Sequence, residues 1–124
     1  MHKSRLAGFI VDCQTDDLAG AAEFWRKALG YQIRPEGSDD QYIEFTGGPD
    51  TLHVEVQRVD HPSRVHIDIE TDDIEAEVVR LETLGAKRLK FLKRWYLMEA
   101  PTGQRFCVVR PQRPDFSDKA NRWD

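Results

Sequence analysis

The tetrapeptide Thr15-Asp16-Asp17-Leu18 recurs 56 residues later as Thr71-Asp72-Asp73-Ile74, and this repetition decides the fold. An apolar run precedes each copy, at residues 8–14 and 65–70, and each run predicts a β-strand. A helical pattern follows each copy and ends at a Leu-Gly pair, because glycine suits the left-handed position that closes a helix. The repetition indicates two copies of one structural unit.

Each copy continues with further strand-like runs. In both copies a turn, at 46–49 or 101–104, joins the last two runs, the final one covering 52–59 or 105–110. The order strand, helix and three strands therefore occurs twice, which predicts an α+β fold with module one at about 6–60 and module two at about 64–111. The first helix is expected to begin near Asp16 or Asp17, whose carboxylates suit a helix N-terminus. The tail, 112–124, is expected to be a surface strap or a frayed end.

Composition limits the class of protein. The length of 124 residues predicts a single domain, 1–124. A net charge of −4, from 22 acidic and 18 basic residues, argues against a nucleic-acid partner, and no apolar run is long enough for a membrane span. Cys13 and Cys107 both lie inside apolar runs, which is typical of buried thiols in a reducing compartment, so we expect a cytoplasmic protein.

Three local motifs carry a family resemblance. They are Asp16-Asp17-Leu18 with Phe24-Trp25 and Leu29-Gly30-Tyr31, then Arg64 to Ile69 followed by Asp72-Asp73, and last Pro101 to Cys107, where Ala100 replaces the family's aspartate. These motifs resemble the glyoxalase-like subgroup of the vicinal oxygen chelate superfamily, which includes glyoxalases, bleomycin-resistance proteins and dioxygenases. The resemblance implies two tandem βαβββ modules in a curved, mostly antiparallel eight-stranded sheet, a cup with a helix packed on each module. It also implies a homodimer and a small-molecule ligand in the concave face.

The resemblance further implies metal-ligand positions on the first and last strands of each module. Those positions hold Ile10, Glu55, His66 and Cys107, of which Glu55 and His66 are the ligand types expected for the fold. We therefore expect an incomplete family metal site and no cofactor. A divalent metal held by Glu55 and His66 is the alternative.

Strand alternation places the candidate site residues. His53, Glu55 and Gln57 share one face of their strand, and His66 and Asp68 share one face of theirs, with Val65, Ile67 and Ile69 opposite and under the helices. We expect Glu55 to orient His66 as a general base, so that these two are the catalytic pair. The expected ligand-binding residues are His53, Gln57, Asp68, Tyr96, Met98 and Cys107.

Three functions fit this pattern. The first is a small-molecule-binding protein that binds or transforms a small oxygenated or aromatic metabolite in the sheet pocket. The second is a metal-dependent lyase or dioxygenase that uses Glu55 and His66, and the third is a non-enzymatic protein that sequesters a drug. Whether the protein is an enzyme stays open at this point, because the fold hosts all three.

Overall fold

The order of elements along the chain repeats once, as the sequence predicts. The computed structural model describes residues 1–36, 38–48 and 52–124, so Pro49 of the predicted turn at 46–49 lies outside the described residues. The described residues form an α+β fold with three helices and nine strands. The elements are β1 (His2–Gln14), α1 (Leu18–Leu29), β2 (Gln32–Arg34), β3 (Tyr42–Thr46), β4 (His53–Val59), β5 (Arg64–Thr71), α2 (Ile74–Thr83), β6 (Lys87–Leu92), β7 (Trp95–Glu99), β8 (Arg105–Val109), α3 (Phe116–Lys119) and β9 (Asn121–Trp123). None of the described helices is both long enough and apolar enough to cross a bilayer.

The repeated Asp-Asp pairs start the two long helices. The second aspartate of each pair caps its helix: Asp17 accepts a hydrogen bond from the Gly20 N–H and Asp73 accepts one from the Ala76 N–H, both at 3.0 Å. Each bond satisfies a backbone donor that the first helical turn leaves without a partner. At the other end of α1, Gly30 has a φ of 74°, the left-handed conformation that the Leu-Gly pair predicts.

The chain forms two compact units. The first unit comprises residues 8–65, and the second comprises residues 1–7 together with 66–124. In the first unit the strand order is β2-β3-β4-β1, with β1 and β4 parallel and the other pairs antiparallel. Helix α1 packs on one face of these strands, where its buried residues join a core with Val54 and Val56. The alternate residues of β4 therefore face away from α1.

The second unit has the same layout with additions. Its strand order is β1-β5-β8-β7-β6, with β5 and β8 parallel, β6–β7 and β7–β8 antiparallel, and β9 antiparallel to β1. Helix α2 packs on one face through Val78 and Leu81, which form a core with Met98 and Val108.

The tail forms ordered structure in place of a frayed end. Strand β9 pairs with the start of β1, so that His2 lies opposite Trp123. The Trp123 Nε1–H donates to Ser4 Oγ at 2.8 Å, and the Arg80 guanidinium lies 3.9 Å from the centre of the Trp123 ring. These contacts make the tail a surface strap of the second unit.

A fully buried carboxylate in α2 supports the start of β1. Glu77 accepts from Ser4 Oγ at 2.8 Å and from two Arg80 nitrogens at 2.8 Å each, and its Oε1 lies 2.7 Å from His2 Nε2. Burial by itself would raise the pKa of the Glu77 carboxyl, but the hydrogen bonds from Arg80, His2 and Ser4 outweigh burial and lower that pKa.

A second buried carboxylate ties the tail to β5. Glu70 is fully buried and accepts from Arg5 Nε at 2.6 Å and from Arg113 Nε at 3.1 Å. It also accepts from the backbone N–H groups of Gln112 and Arg113, at 2.6 and 3.1 Å. The charge is therefore compensated by two guanidinium groups and two amides.

Candidate functional site

The polar face of β5 is its more buried face. Asp68 is 7% exposed and Glu70 is fully buried, whereas Val65 and Ile67 on the opposite face are 59% and 45% exposed. The expectation that the apolar side chains of β5 lie under the helices is therefore wrong for Val65 and Ile67. It holds for Ile69, because the α2 core includes that residue alone among the three.

Three side chains with chemical capacity converge on this polar face. His66 Nε2 lies 3.3 Å from Asp68 Oδ1, and each of these side chains is about one tenth exposed. Cys107 of β8 stands opposite Asp68 in the parallel register and is equally buried. One ligand atom from each of the three residues lies within 4.8 Å of the other two. We call His66, Asp68 and Cys107 the β5–β8 cluster.

One carboxylate oxygen of the cluster is buried and has no hydrogen-bond donor among the described residues. Asp68 Oδ1 is shielded from solvent and accepts no hydrogen bond from the described residues, although His66 Nε2 lies 3.3 Å away. A buried carboxylate oxygen without a donor is costly, so such atoms are rare outside sites with a further role.

Apolar side chains flank the cluster. Trp95 and Leu97 of β7 pack against Cys107 and Val109, and Leu97 stands directly opposite Cys107 in the antiparallel register. They supply an aromatic and an aliphatic surface beside the polar groups. A small ligand at the cluster would therefore meet both kinds of contact.

Tyr96 and Met98 lie on the other face of β7, contrary to the sequence-based expectation. Met98 is fully buried in the α2 core, and Tyr96 packs against the same core. The cause is the register of β7 and β8, in which Glu99 pairs with Arg105. Since side chains alternate along a strand, this register turns the even-numbered residues of β7 toward α2.

The polar face of β4 in the first unit carries a second histidine–carboxylate group. His53 Nε2 lies 2.8 Å from Glu55 Oε1 and 3.6 Å from Glu44 Oε1. Glu44 and Glu55 stand opposite each other in the β3–β4 register, so the imidazole contacts two carboxylates. The structure thus gives Glu55 a partner in its own strand, as it gives His66 a partner in Asp68. The pairing of Glu55 with His66 stays a prediction.

Gln57, the last of the predicted ligand residues, lines an open cavity of about 670 Å³ in the first unit. Gln14 and Gln41 line it too, together with Arg58 and Asp16, which form an exposed ion pair at 3.3 Å. The walls are mostly polar, which suits a solvated ligand more than a sequestered one.

The sequence comparison places the chain in a known family. The glyoxalase-like domain family matches residues 8–109, which cover all of the strands that carry the candidate site. The chain belongs to the glyoxalase-like domain family. No curated protein sequence matches it.

Two solved structures share the family fold. Methylmalonyl-CoA epimerase from Mycobacterium tuberculosis is 15% identical, with a TM-score of 0.62 over 87% of this chain and 88% of that one. A hypothetical protein from Bacillus halodurans C-125 is 11% identical, with a TM-score of 0.57 over 89% of this chain and 97% of that one. At these identities the likeness shows the fold and leaves activity to be argued from the site.

The superfamily often uses a divalent metal, and the β5–β8 cluster fits one. Imidazole nitrogen, carboxylate oxygen and thiolate sulfur are all ligands of zinc in proteins. The other two family positions, Ile10 and Glu55, lie in the first unit. The sequence places His66 and Asp68 on one strand face but does not predict the contact between them. Their spacing of two residues along one strand was the available signal.

Proposed function

We propose that this protein binds, and where the ligand allows transforms, a small oxygenated or aromatic metabolite at the β5–β8 cluster. The observation that carries the proposal is the buried His66–Asp68 pair at 3.3 Å, beside Cys107 and next to Trp95. Converging polar groups with an aromatic neighbour are the usual composition of a small-molecule site.

The chemistry of the pair supports a role in proton transfer. A carboxylate beside an imidazole orients the ring and stabilises its protonated form, so Asp68 is suited to position His66. His66 is then the group that accepts a proton from a ligand O–H or activated C–H, or donates a hydrogen bond to a ligand oxygen. Trp95 offers its ring to the apolar part of the ligand.

Fluorescence of Trp95 tests the proposal directly. We would titrate the protein with catechol, with methylmalonyl-CoA, named for the Mycobacterium tuberculosis neighbour, and with bleomycin. At least one of them should change the emission saturably, and Trp95→Phe should remove the change. His66→Gln and Asp68→Asn should each weaken binding about tenfold, the equivalent of one lost hydrogen bond to a charged group.

His61→Gln is the matched control, because His61 is a loop histidine that lines the open cavity of the first unit. Its binding curve should equal that of the unchanged protein. Absence of any saturable change, or a loss of binding in His61→Gln and not in His66→Gln, would refute the proposed site. Chromatography of the ligand after incubation separates turnover from sequestration, since a sequestering protein returns the ligand unchanged.

We also propose that the protein works as a cytoplasmic homodimer. Cys13 and Cys107 are both buried and are not joined in a disulfide, which suits a reducing compartment. Phe91 on the edge strand β6 is 54% exposed, and an exposed aromatic on a strand edge favours association. Light scattering should give twice the mass of the chain, and Phe91→Glu should halve it. A monomer at all concentrations would contradict the proposal.

A further inference from the structure

The pairing of the edge strand β6 with β7 contains one extra residue. Arg88 pairs with Met98, and the next pair joins Lys90 to Leu97. Leu89 is therefore a β-bulge, at which two residues of one strand stand opposite one residue of the other. Without the bulge, Lys90 would lie on the side of the sheet that α2 covers. The bulge instead turns Lys90 to the face that carries the β5–β8 cluster, which we call the site face.

A row of paired residues connects Lys90 to the cluster. Lys90 stands opposite Leu97, Leu97 stands opposite Cys107, and Cys107 stands opposite Asp68. Residues that stand opposite each other in a sheet project from the same face. Because neighbouring strands lie about 4.8 Å apart, the Cα atom of Lys90 lies about 10 Å from that of Cys107 along this row. Lys90 therefore marks the outer edge of the site face, with the apolar side chain of Leu97 between it and the cluster.

The cations on the two faces of β6 have different surroundings. On the α2 side, Arg88 donates hydrogen bonds to Glu82 at 2.8 and 3.0 Å and to Glu75 at 3.1 Å. On the site face, Lys90 is exposed and forms no ion pair with any residue that the structure describes. The charge of Arg88 is thus compensated inside the protein, whereas the ammonium group of Lys90 is available to an anion from solution.

Neighbouring charges on the site face add to this positive potential. Lys87 of β6 and Arg105 of β8 both stand opposite Glu99 of β7. Arg105 lies two residues before Cys107 on the same strand, so this second row also projects from the site face. Two lysines and an arginine on the outer strands therefore face a single glutamate. Such an excess of positive charge attracts anionic ligands and repels cationic ones.

The site face offers a cation at one end, an apolar middle and the histidine–aspartate pair at the other end. Trp95 and Leu97 supply the apolar part. The lysine ammonium is a compact single charge, which a carboxylate matches, whereas a phosphate monoester carries nearly two negative charges at neutral pH. We propose that the ligand of the β5–β8 cluster is a small organic carboxylate, whose apolar body lies on Trp95 and Leu97 and whose carboxylate binds Lys90. This inference rests on the proposed function and names its ligand class, with Lys90 as a specificity-determining residue.

A matched pair of ligands isolates the contribution of the charge. Calorimetric titration would compare 3,4-dihydroxybenzoate with its amide, which has nearly the same shape and no charge. We expect the acid to bind about tenfold more tightly, the equivalent of one hydrogen bond to a charged group. Because Lys90 is exposed, about 0.5 M NaCl should reduce this preference while leaving the affinity for the amide unchanged.

Variants of β6 and its turn assign the preference to one residue. Lys90→Gln should lower the affinity for the acid to that for the amide, and Lys90→Arg should keep the preference because it keeps the charge. Lys93→Gln is the matched control, since it removes the same charge from the same hairpin at a turn residue outside the paired rows. It should bind both ligands as the unchanged protein does. Circular dichroism of each variant confirms folding.

The outcomes separate this inference from the proposed function. Absence of acid binding, equal affinity for acid and amide in the unchanged protein, or equal losses in Lys90→Gln and Lys93→Gln would overturn the inference. Tighter binding of phenyl phosphate than of the acid would overturn the assignment to a carboxylate. If His66→Gln weakens acid and amide alike while Lys90→Gln changes neither, the proposed function stands and the inference fails. If Lys90→Gln weakens acid binding while His66→Gln changes neither ligand, the anion contact stands and the proposed function fails.

Discussion

Replacing Glu77 by glutamine should destabilise the protein strongly, because it removes a buried charge that three side chains contact. Glu77 is fully buried, and its two oxygens receive hydrogen bonds from Ser4 and Arg80 and contact His2 at 2.7 Å. Removing one partner of a buried ion pair costs about 3–5 kcal/mol. Glutamine keeps one acceptor oxygen, and the Arg80 side chain is 25% exposed, so we expect the lower end, about 3 kcal/mol.

Urea unfolding followed by circular dichroism measures this loss. With a denaturant dependence of about 1.5 kcal/mol per molar, the midpoint should fall by about 2 M. Glu75→Gln is the matched control on the same helix, because Glu75 is exposed and its free energy of unfolding should change by less than about 0.5 kcal/mol. A loss below about 1 kcal/mol for Glu77→Gln, or equal losses for both variants, would refute the assigned role of the buried carboxylate.

Three more predictions concern the same scaffold. Because the pKa of Glu77 is lowered in the folded protein, the stabilisation from its carboxylate is complete above the ordinary pKa of about 4.5 and is lost as the pH falls through the folded-state pKa. The free energy of unfolding of the unchanged protein should therefore fall more steeply with decreasing pH than that of Glu77→Gln. Glu70→Gln should loosen the tail, because it weakens the bonds to Arg113 and to the backbone at 112–113, and hydrogen exchange at 112–119 should accelerate while exchange in α1 stays constant. Gly8→Ala should prevent stable folding of the first unit, because the added Cβ would lie 1.7 Å from the His53 carbonyl oxygen. Gly30→Ala is the control, because its Cβ would meet open space and only its positive φ should cost about 1 kcal/mol. Similar melting temperatures for these two variants would contradict this account.

Local signals explain the parts of the fold that the sequence predicts well. Asp17 and Asp73 cap the two long helices, and Gly30 closes the first, because capping depends on residues three or four positions apart. The repeat then supplies the order of strands around each helix. Both cysteines are buried, as their apolar surroundings predict.

Strand register explains the error at Tyr96 and Met98. In the structure Glu99 pairs with Arg105 and Leu97 with Cys107, so Tyr96 and Met98 lie on the face opposite to Cys107. The Ala100 N–H donates to the Gln104 carbonyl at 2.8 Å in the turn between the two strands. A shift of one residue in this pairing would move every side chain of β7 to the opposite face, and the composition of the strands does not determine which register forms.

Long-range partners explain what local patterns missed in β1 and the tail. His2 and Ser4 look like a polar terminus, yet both are buried because they meet Glu77 about 75 positions further along the chain. The His66–Asp68 pair belongs to the predictable part, since both lie on one strand face. Cys107 joined them only through the parallel pairing of β5 and β8.

The division of β1 between the two units sets the sequence of events during synthesis. Residues 8–65 make up the first unit and are synthesised consecutively, so the strands of this unit can pair with one another early. The first seven residues emerge before it but belong with residues 66–124, and His2 pairs with Trp123 at the far end of the chain. Residues 2–4 therefore complete their pairing with β9 only after residues 121–123 have been synthesised, although β5, the other neighbour of β1, is available earlier. Removal of β9 would take away the strand partner of residues 2–4 and leave that edge of β1 open to pairing with another chain.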